Sequence, residues 1–203
     1  MKIALIGATG QVGSRLLAEL LRRSHTVTAI VRNPERVPAQ AGVTPKRADV
    51  ADQASLVAAL AGHDAVISAV PFVGSNPQTL IEAVKAAGVP RYLVVGGAGS
   101  LEVAPGRKLA DTPDFPAEYR EEGLAGAVFL DLLRAEKDLD WTLLSPSALF
   151  VPGERTGKFR LGNDRLLVDS EGNSTVSFED FAVAMSDELE HPAHSRRRFT
   201  VGY

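Results

Sequence analysis

Cysteine is absent from the 203-residue chain. That absence excludes disulfides, a thiolate nucleophile, and zinc or iron–sulfur centres held by cysteine. Also missing is any apolar run near the roughly 20 residues needed to cross a bilayer, so no membrane association is expected. Residues 1–7 are a short apolar stretch broken at once by glycine. They lack the basic head and long apolar core of a secretion signal, which makes the cytoplasm the expected location. Basic charge is scarce in the form that nucleic acid demands. The formal net charge is −3, and the one dense basic run, residues 196–198, is too short to neutralise many phosphates. Nucleic acid is therefore not an expected partner, and the arginine run reads as the solvated junction between a helix and the last strand. The four histidines show no metal-ligand spacing with one another or with a carboxylate, so no metal site is expected.

What is present is a regular alternation. Residues 2–6 form a continuous aliphatic run, as a strand buried on both faces of a parallel sheet must. Residues 11–23 then bring Val12, Leu16, Leu17, Leu20 and Leu21 to one helical face and end in Arg22 and Arg23, where cations suit the helix dipole. Strands follow over 26–31 and 43–48, a helix over 53–61 and a strand over 64–70. A helix over 77–87 is stopped by Gly88 and Pro90 before a strand over 92–95. Residues 96–116 make a long loop rich in glycine and proline, followed by a helix over 124–137 and a strand over 141–144. Beyond Pro146 the pattern predicts a hairpin of 158–161 with 165–168, turned at Gly162-Asn163-Asp164. A helix over 179–190 and a last strand over 198–201 complete the chain. The fold class is α/β: one Rossmann-type doubly wound parallel sheet over residues 1–203, with a small substrate-side extension within 147–203. In such a sheet the loops after residues 6, 31, 70, 95 and 144 converge on one crevice.

Gly7-Ala8-Thr9-Gly10-Gln11-Val12-Gly13 lies between the first strand and the first helix, the context that gives a glycine pattern its meaning. Gly7 permits a tight turn, Gly10 lets a diphosphate approach the backbone, and Gly13 lets the helix pack on the strand. Free N–H groups at the helix start then hold the anion, which implies a dinucleotide. At the end of the second strand an acidic residue would accept the ribose hydroxyls of NAD. This chain has Val31-Arg32-Asn33, and Arg32 with Arg36 could fork onto a 2′-phosphate, favouring NADP(H) over NAD(H). The alternative is that both arginines are plain solvated residues. Asp49-Val50 after the third strand stands either at the adenine edge or, through Asp49, at the cap of the next helix.

The stretches GATGQVG (7–13), VRNPERV (31–37), ADVAD (48–52) and LDWTLLSPS (139–147) together resemble the atypical short-chain dehydrogenase/reductases. Within them the chain is most similar to the NmrA-like and NADH-flavin-reductase-like proteins, near biliverdin reductase B. The resemblance implies that Gly7, Thr9, Gly10, Gln11 and Val12 contact the diphosphate and that Arg32 selects the adenosine phosphate. It also implies that Asp49 and Val50 flank adenine, that Ala69 and Val70 border its ribose, and that Pro146 and Ser147 lie beside the nicotinamide. Ser100 matches the place where the family sets a serine near the reacting centre. There it would orient an acceptor carbonyl, or else only cap its loop. One departure matters. Typical members use a Tyr-x-x-x-Lys pair, whereas here Tyr119 is followed four residues on by Gly123 and Tyr92 by Gly96.

Without that lysine, reduction of an ordinary ketone lacks its tuned proton donor. Hydride transfer to a flavin or quinone is less demanding, because the acceptor ring spreads the incoming charge and solvent can supply the proton. An NADPH-dependent reductase acting on such a small molecule is the leading expectation. A non-catalytic NADP(H) sensor that binds a partner protein is the first rival, and an epimerase-like relative the second. Residues 150–157, with Pro152, Gly153 and Gly157, read either as a lid over the nicotinamide or as a static support.

Overall fold

The computed structural model describes residues 1–203. In chain order the first half contains β1 (Lys2–Ile6), α1 (Gln11–Arg22), β2 (Thr26–Val31), β3 (Val43–Arg47), α2 (Gln53–Leu60), β4 (Ala65–Ser68), α3 (Pro77–Ala86) and β5 (Arg91–Val95). Then come a small hairpin of β6 (Glu102–Ala104) and β7 (Arg107–Lys108), the helix α4 (Ala117–Ala135) and β8 (Asp140–Ser145). The chain ends with β9 (Leu149–Val151), β10 (Arg160–Gly162), β11 (Thr175–Ser177), α5 (Phe178–Glu190) and β12 (Arg197–Gly202).

Eight strands form the main sheet in the order β10-β12-β8-β5-β4-β1-β2-β3, all parallel except the edge strand β10. Strand alternation sends Ile3 and Leu5 to one face and Ala4 and Ile6 to the other, and both faces are covered. On the first face Leu16 and Leu20 of α1 and Phe181 and Met185 of α5 are buried with Phe199. On the second, Leu56, Leu80 and Phe129 from α2, α3 and α4 are buried with Tyr92 and Trp141. The strand order reverses between β1 and β4, so the loops after these two strands separate to opposite faces and leave a crevice at their carboxyl ends.

The helix starts follow local chemistry. Asn76 caps α3 by accepting from the amides of Gln78 at 2.9 Å and Thr79 at 3.3 Å, with Pro77 in the first turn. Ser177 caps α5 by accepting from Asp180 N at 2.9 Å. Helix α4 begins at Ala117, well before residue 124. Its first two turns, Glu118 to Glu122, are mostly charged and exposed, so they carry no apolar periodicity to read.

Two expectations are corrected here. The hairpin of 158–161 with 165–168 does not form: β10 pairs antiparallel with β12, Leu161 opposite Val201. Residues 164–166 turn instead toward β6, where Asp164 O accepts from Glu102 N at 2.8 Å and Leu166 N donates to Glu102 O at 2.9 Å. The pull has a cause, because the Asp164 carboxylate serves the buried guanidinium of Arg198. Arg198 is accordingly not a solvated residue, contrary to the reading of the basic run, although Arg196 and Arg197 are exposed.

Of the two readings of residues 150–157, the contacts they make support the static one. Phe150 and Val151 lie in β9, which pairs with β11, and Phe150 stacks edge-on to Phe178 with ring centroids 4.6 Å apart. Gly153 N donates to Glu179 at 2.8 Å, Arg155 makes two hydrogen bonds to Glu19, and Gly157 N donates to Asp180 at 2.8 Å. Burial pushes the Glu19 carboxyl up, but hydrogen bonds from Arg155 and Arg23 outweigh it and hold the group below its ordinary value. The segment is tied along α1 and α5, the helices it braces. Within 147–203, α5 and β12 complete the main layers, and the irregular part is confined to the stretch before α5.

Ser186, fully buried in α5, has a hydroxyl with no hydrogen-bond partner. Replacing it with alanine removes an unsatisfied polar atom and improves helix propensity. Ser186→Ala is expected to stabilise the chain by about 1 kcal/mol, read as a rise of roughly 2–4 °C in the thermal midpoint.

Candidate cofactor-binding site

The glycine loop sits at the point where the strand order reverses. Gly7 has φ +83°, and a Cβ there would stand 2.5 Å from the carbonyl oxygen of Ala69, the residue just past β4. A Cβ on Gly13 would stand 2.1 Å from the carbonyl oxygen of Gly7. The helix therefore rests directly on the turn. Gly10 differs, since its Cβ would meet nothing nearer than Gly7 O at 3.3 Å, and the residue is exposed. The three glycines thus divide into one that turns, one that packs and one that leaves a surface open.

Helix α1 starts without a cap. Gly10 is its N-cap residue, no side chain bonds the first turn, and no acidic residue lies in it. By contrast α2, α3 and α5 each begin on a side-chain cap, and α4 begins on Pro116 without one. The amides of the first turn and the positive end of the dipole are left without a side-chain partner, which is the chemistry that a diphosphate requires. Thr9, Gln11 and Val12 flank this opening, with Gln11 exposed and Thr9 and Val12 half-buried. Ala69 and Val70 adjoin it, as the closeness of Ala69 to Gly7 shows.

At the ends of β2 and β3 three arginines stand among two exposed carboxylates, Glu35 and Asp49. Arg32 and Arg36 are exposed, Arg36 closing the short 3-10 turn Pro34–Arg36, and neither forms a salt bridge. Sequence reasoning missed a third arginine, Arg47, which pairs with Val31 in the sheet register and is also exposed. The register was the signal that would have found it. Asp49 does not cap α2: that role belongs to Asp52, which accepts from Ser55 N at 3.1 Å. Asp49 closes a turn with Ala51 N at 3.0 Å and stays exposed, while half-buried Val50 packs on the second core face.

The far side of the crevice is built by the loops after β4, β5 and β8. Glu122 of α4 accepts from the amides of Phe72 at 2.7 Å and Val73 at 2.8 Å and so fixes the loop after β4. No motif announced that role. Gly99 packs on α4, where a Cβ would come within 2.9 Å of Gly123 Cα, and this anchors the loop carrying Ser100. Ser100 Oγ accepts from Arg198 Nη1 at 2.9 Å. Pro146 and Ser147 are buried past the end of β8, and the Ser147 hydroxyl donates to Val201 O at 3.1 Å. That hydroxyl is committed to the last strand. Two concavities, of about 520 and 360 Å³, lie elsewhere, among α2, α3 and α4 and beside α1. The loop geometry and the uncapped helix locate the candidate site better than cavity size does, because a dinucleotide lies along an open crevice.

Residues 7–192 match the family of NAD(P)H-binding domains. The chain belongs to the NAD(P)H-binding family. An uncharacterised Bacillus subtilis protein, YwnB, is 42% identical across 99% of this chain and 98% of its own length. Among solved structures, a candidate epimerase from Bacteroides thetaiotaomicron is 48% identical with a TM-score of 0.95, covering 100% of this chain and 96% of that one. A candidate NADH-flavin reductase from Streptococcus pneumoniae is 36% identical with a TM-score of 0.84, covering 100% and 99%. Membership in the NAD(P)H-binding family agrees with the resemblance to atypical short-chain dehydrogenase/reductases carried by the four sequence stretches.

Proposed function

We propose that this NAD(P)H-binding protein is an NADP(H)-dependent reductase that passes hydride to a flavin, a quinone or a similar conjugated ring. The observation that carries the cofactor half is the set Arg32, Arg36 and Arg47 at the ends of β2 and β3, without a salt-bridge partner and without a carboxylate at the end of β2. In this reading Gly7, Thr9, Gly10, Gln11, Val12 and Gly13 hold the diphosphate. Asp49 and Val50 border adenine, Ala69 and Val70 its ribose, and Pro146 and Ser147 the nicotinamide end.

The acceptor half is supported by where the three tyrosines stand. Tyr92 is fully buried on Ser68 Oγ at 3.0 Å, and burial pushes its phenol well above the ordinary range. Tyr203 is tied to Ser177 and Asp180, and Tyr119 is 60% exposed with Gly123 four residues on. None matches a tyrosine acid tuned by a neighbouring lysine, so an acceptor that needs no such acid fits best. The flavin reductase description of the Streptococcus pneumoniae relative points the same way.

The test is oxidation of NADPH by the purified chain with and without FMN, riboflavin and a small quinone, corrected for the uncatalysed rate. Saturable, protein-dependent turnover is expected. Tight NADPH binding without turnover would overturn the reductase reading in favour of a cofactor sensor.

A further inference from the structure

Arg198 projects from β12 and is buried, and its guanidinium is divided between two partners. Nε and Nη2 both reach Asp164 Oδ1, at 2.8 and 2.5 Å, while Nη1 donates to Ser100 Oγ at 2.9 Å. Arg134 of α4 adds a hydrogen bond to the same Asp164 oxygen at 3.0 Å. Asp164 in turn is held through its backbone, which accepts from Glu102 N at 2.8 Å. The last strand, the irregular stretch before α5 and the loop after β5 therefore meet on one buried cation.

This geometry settles the direction of a hydrogen bond. Arginine has five donors, no acceptor and no accessible neutral form, so Ser100 Oγ must accept from it. The Ser100 proton is then barred from pointing at Arg198 and finds no acceptor within the protein, since the sole hydrogen bond of that hydroxyl is the one it receives. Ser100 is half-buried, on the loop that follows β5 at the carboxyl rim of the sheet. That loop abuts the segment after β4: a Cβ on Gly97 would lie 3.8 Å from the Phe72 ring.

We infer that Arg198, clamped by Asp164, is a positioning residue that makes Ser100 a one-way hydrogen-bond donor to the carbonyl oxygen of the hydride acceptor. The inference rests on the reductase reading. In that reading a hydride would carry two electrons from the bound cofactor to the acceptor ring, with the accompanying proton supplied by water. Ser100 transfers no proton; its O–H steadies the charge that grows on the acceptor carbonyl. Burial lowers the proton affinity of Arg198 and Asp164 restores part of it, so the cation persists in place. Lysine cannot replace the fork, because one ammonium cannot span both partners with the same geometry.

The experiment is a double-mutant cycle on NADPH–quinone turnover with Ser100→Ala, Arg198→Lys and the pair together. Each single change is expected to lower kcat/KM for the quinone by about five- to tenfold, the worth of one hydrogen bond. The dissociation constant for NADPH should be unchanged in both. The double variant should be no worse than either single one, because Arg198 acts through Ser100. Effects that multiply, or losses in NADPH affinity in place of quinone turnover, would show Arg198 to be structural and overturn the inference. Ser100→Ala offers a second hold if Arg198→Lys folds poorly, since an unaltered quinone rate in that variant alone refutes the donor role. Failure of the reductase reading looks different: the unmutated chain itself would show no turnover, and both proposals would fall together.

Discussion

Gly13→Ala is expected to cost about 2–3 kcal/mol of stability, as overpacking of a well-fitted contact does, and to abolish measurable NADPH binding at the same time. The reason is positional. The added methyl would stand 2.1 Å from Gly7 O, 2.9 Å from Gly7 C and 3.2 Å from Ala8 Cα, all backbone atoms of the loop proposed to hold the diphosphate. No side chain can swing aside, so helix and loop must separate, and the separation moves the first-turn amides off the anion. Gly10→Ala supplies the contrast. Its methyl meets only Gly7 O at 3.3 Å, so the fold should keep its stability to within about 1 kcal/mol, the cost of alanine at an N-cap. The methyl would still project into the space left for the diphosphate and lower affinity. Thermal unfolding and fluorescence titration with NADPH separate the two variants. Equal stability losses in both, or unweakened binding in Gly10→Ala, would refute this division of labour.

The second large effect is expected from Arg32→Glu. The substitution exchanges an attraction for a repulsion at the 2′-phosphate while offering a carboxylate that can accept both ribose hydroxyls. NADPH affinity should fall roughly thirty- to hundredfold, and NADH affinity should hold or rise, so the preference inverts. Arg36 and Arg47 remain nearby and limit the loss to less than complete. Parallel titrations with the two cofactors at one ionic strength are the measurement, because exposed charges are screened by salt. If both affinities moved together, Arg32 would have no part in selecting the phosphate.

The elements that the sequence announced are those whose signal is local. β1 reads from five aliphatic residues, and the glycine turn reads from its place between a strand and a helix. The parallel sheet follows from the alternation, and the convergence of loops follows from the sheet. What escaped was set by partners far along the chain. The stretch around Asp164 looks like a hairpin turn because Gly162-Asn163-Asp164 has turn composition, yet Asp164 is claimed by Arg198, 34 residues away. Arg198 looked like surface charge because a run of arginines usually is, and only the tertiary packing sets its last member apart from the two before it. The glycines and proline of residues 150–157 left a lid and a static support both open, and Glu19 and Asp180, which hold the segment down, give no sign in sequence of facing that way. Arg47 was legible in principle, since knowing that β3 runs parallel to β2 places it beside Val31.

Helix α1, which lacks the side-chain cap that α2, α3 and α5 have, would tie the survival of the chain to its proposed ligand. In the empty protein the amides of that first turn are left to water, and an anion would satisfy them better. Mass action then makes the cofactor a stabiliser: at a free concentration about a hundred times its dissociation constant it adds about 2.7 kcal/mol against unfolding. A cell in which the pool of this dinucleotide falls would hold a larger unfolded fraction of the same polypeptide, more open to proteases. Its abundance would follow the supply of cofactor without any change in its synthesis.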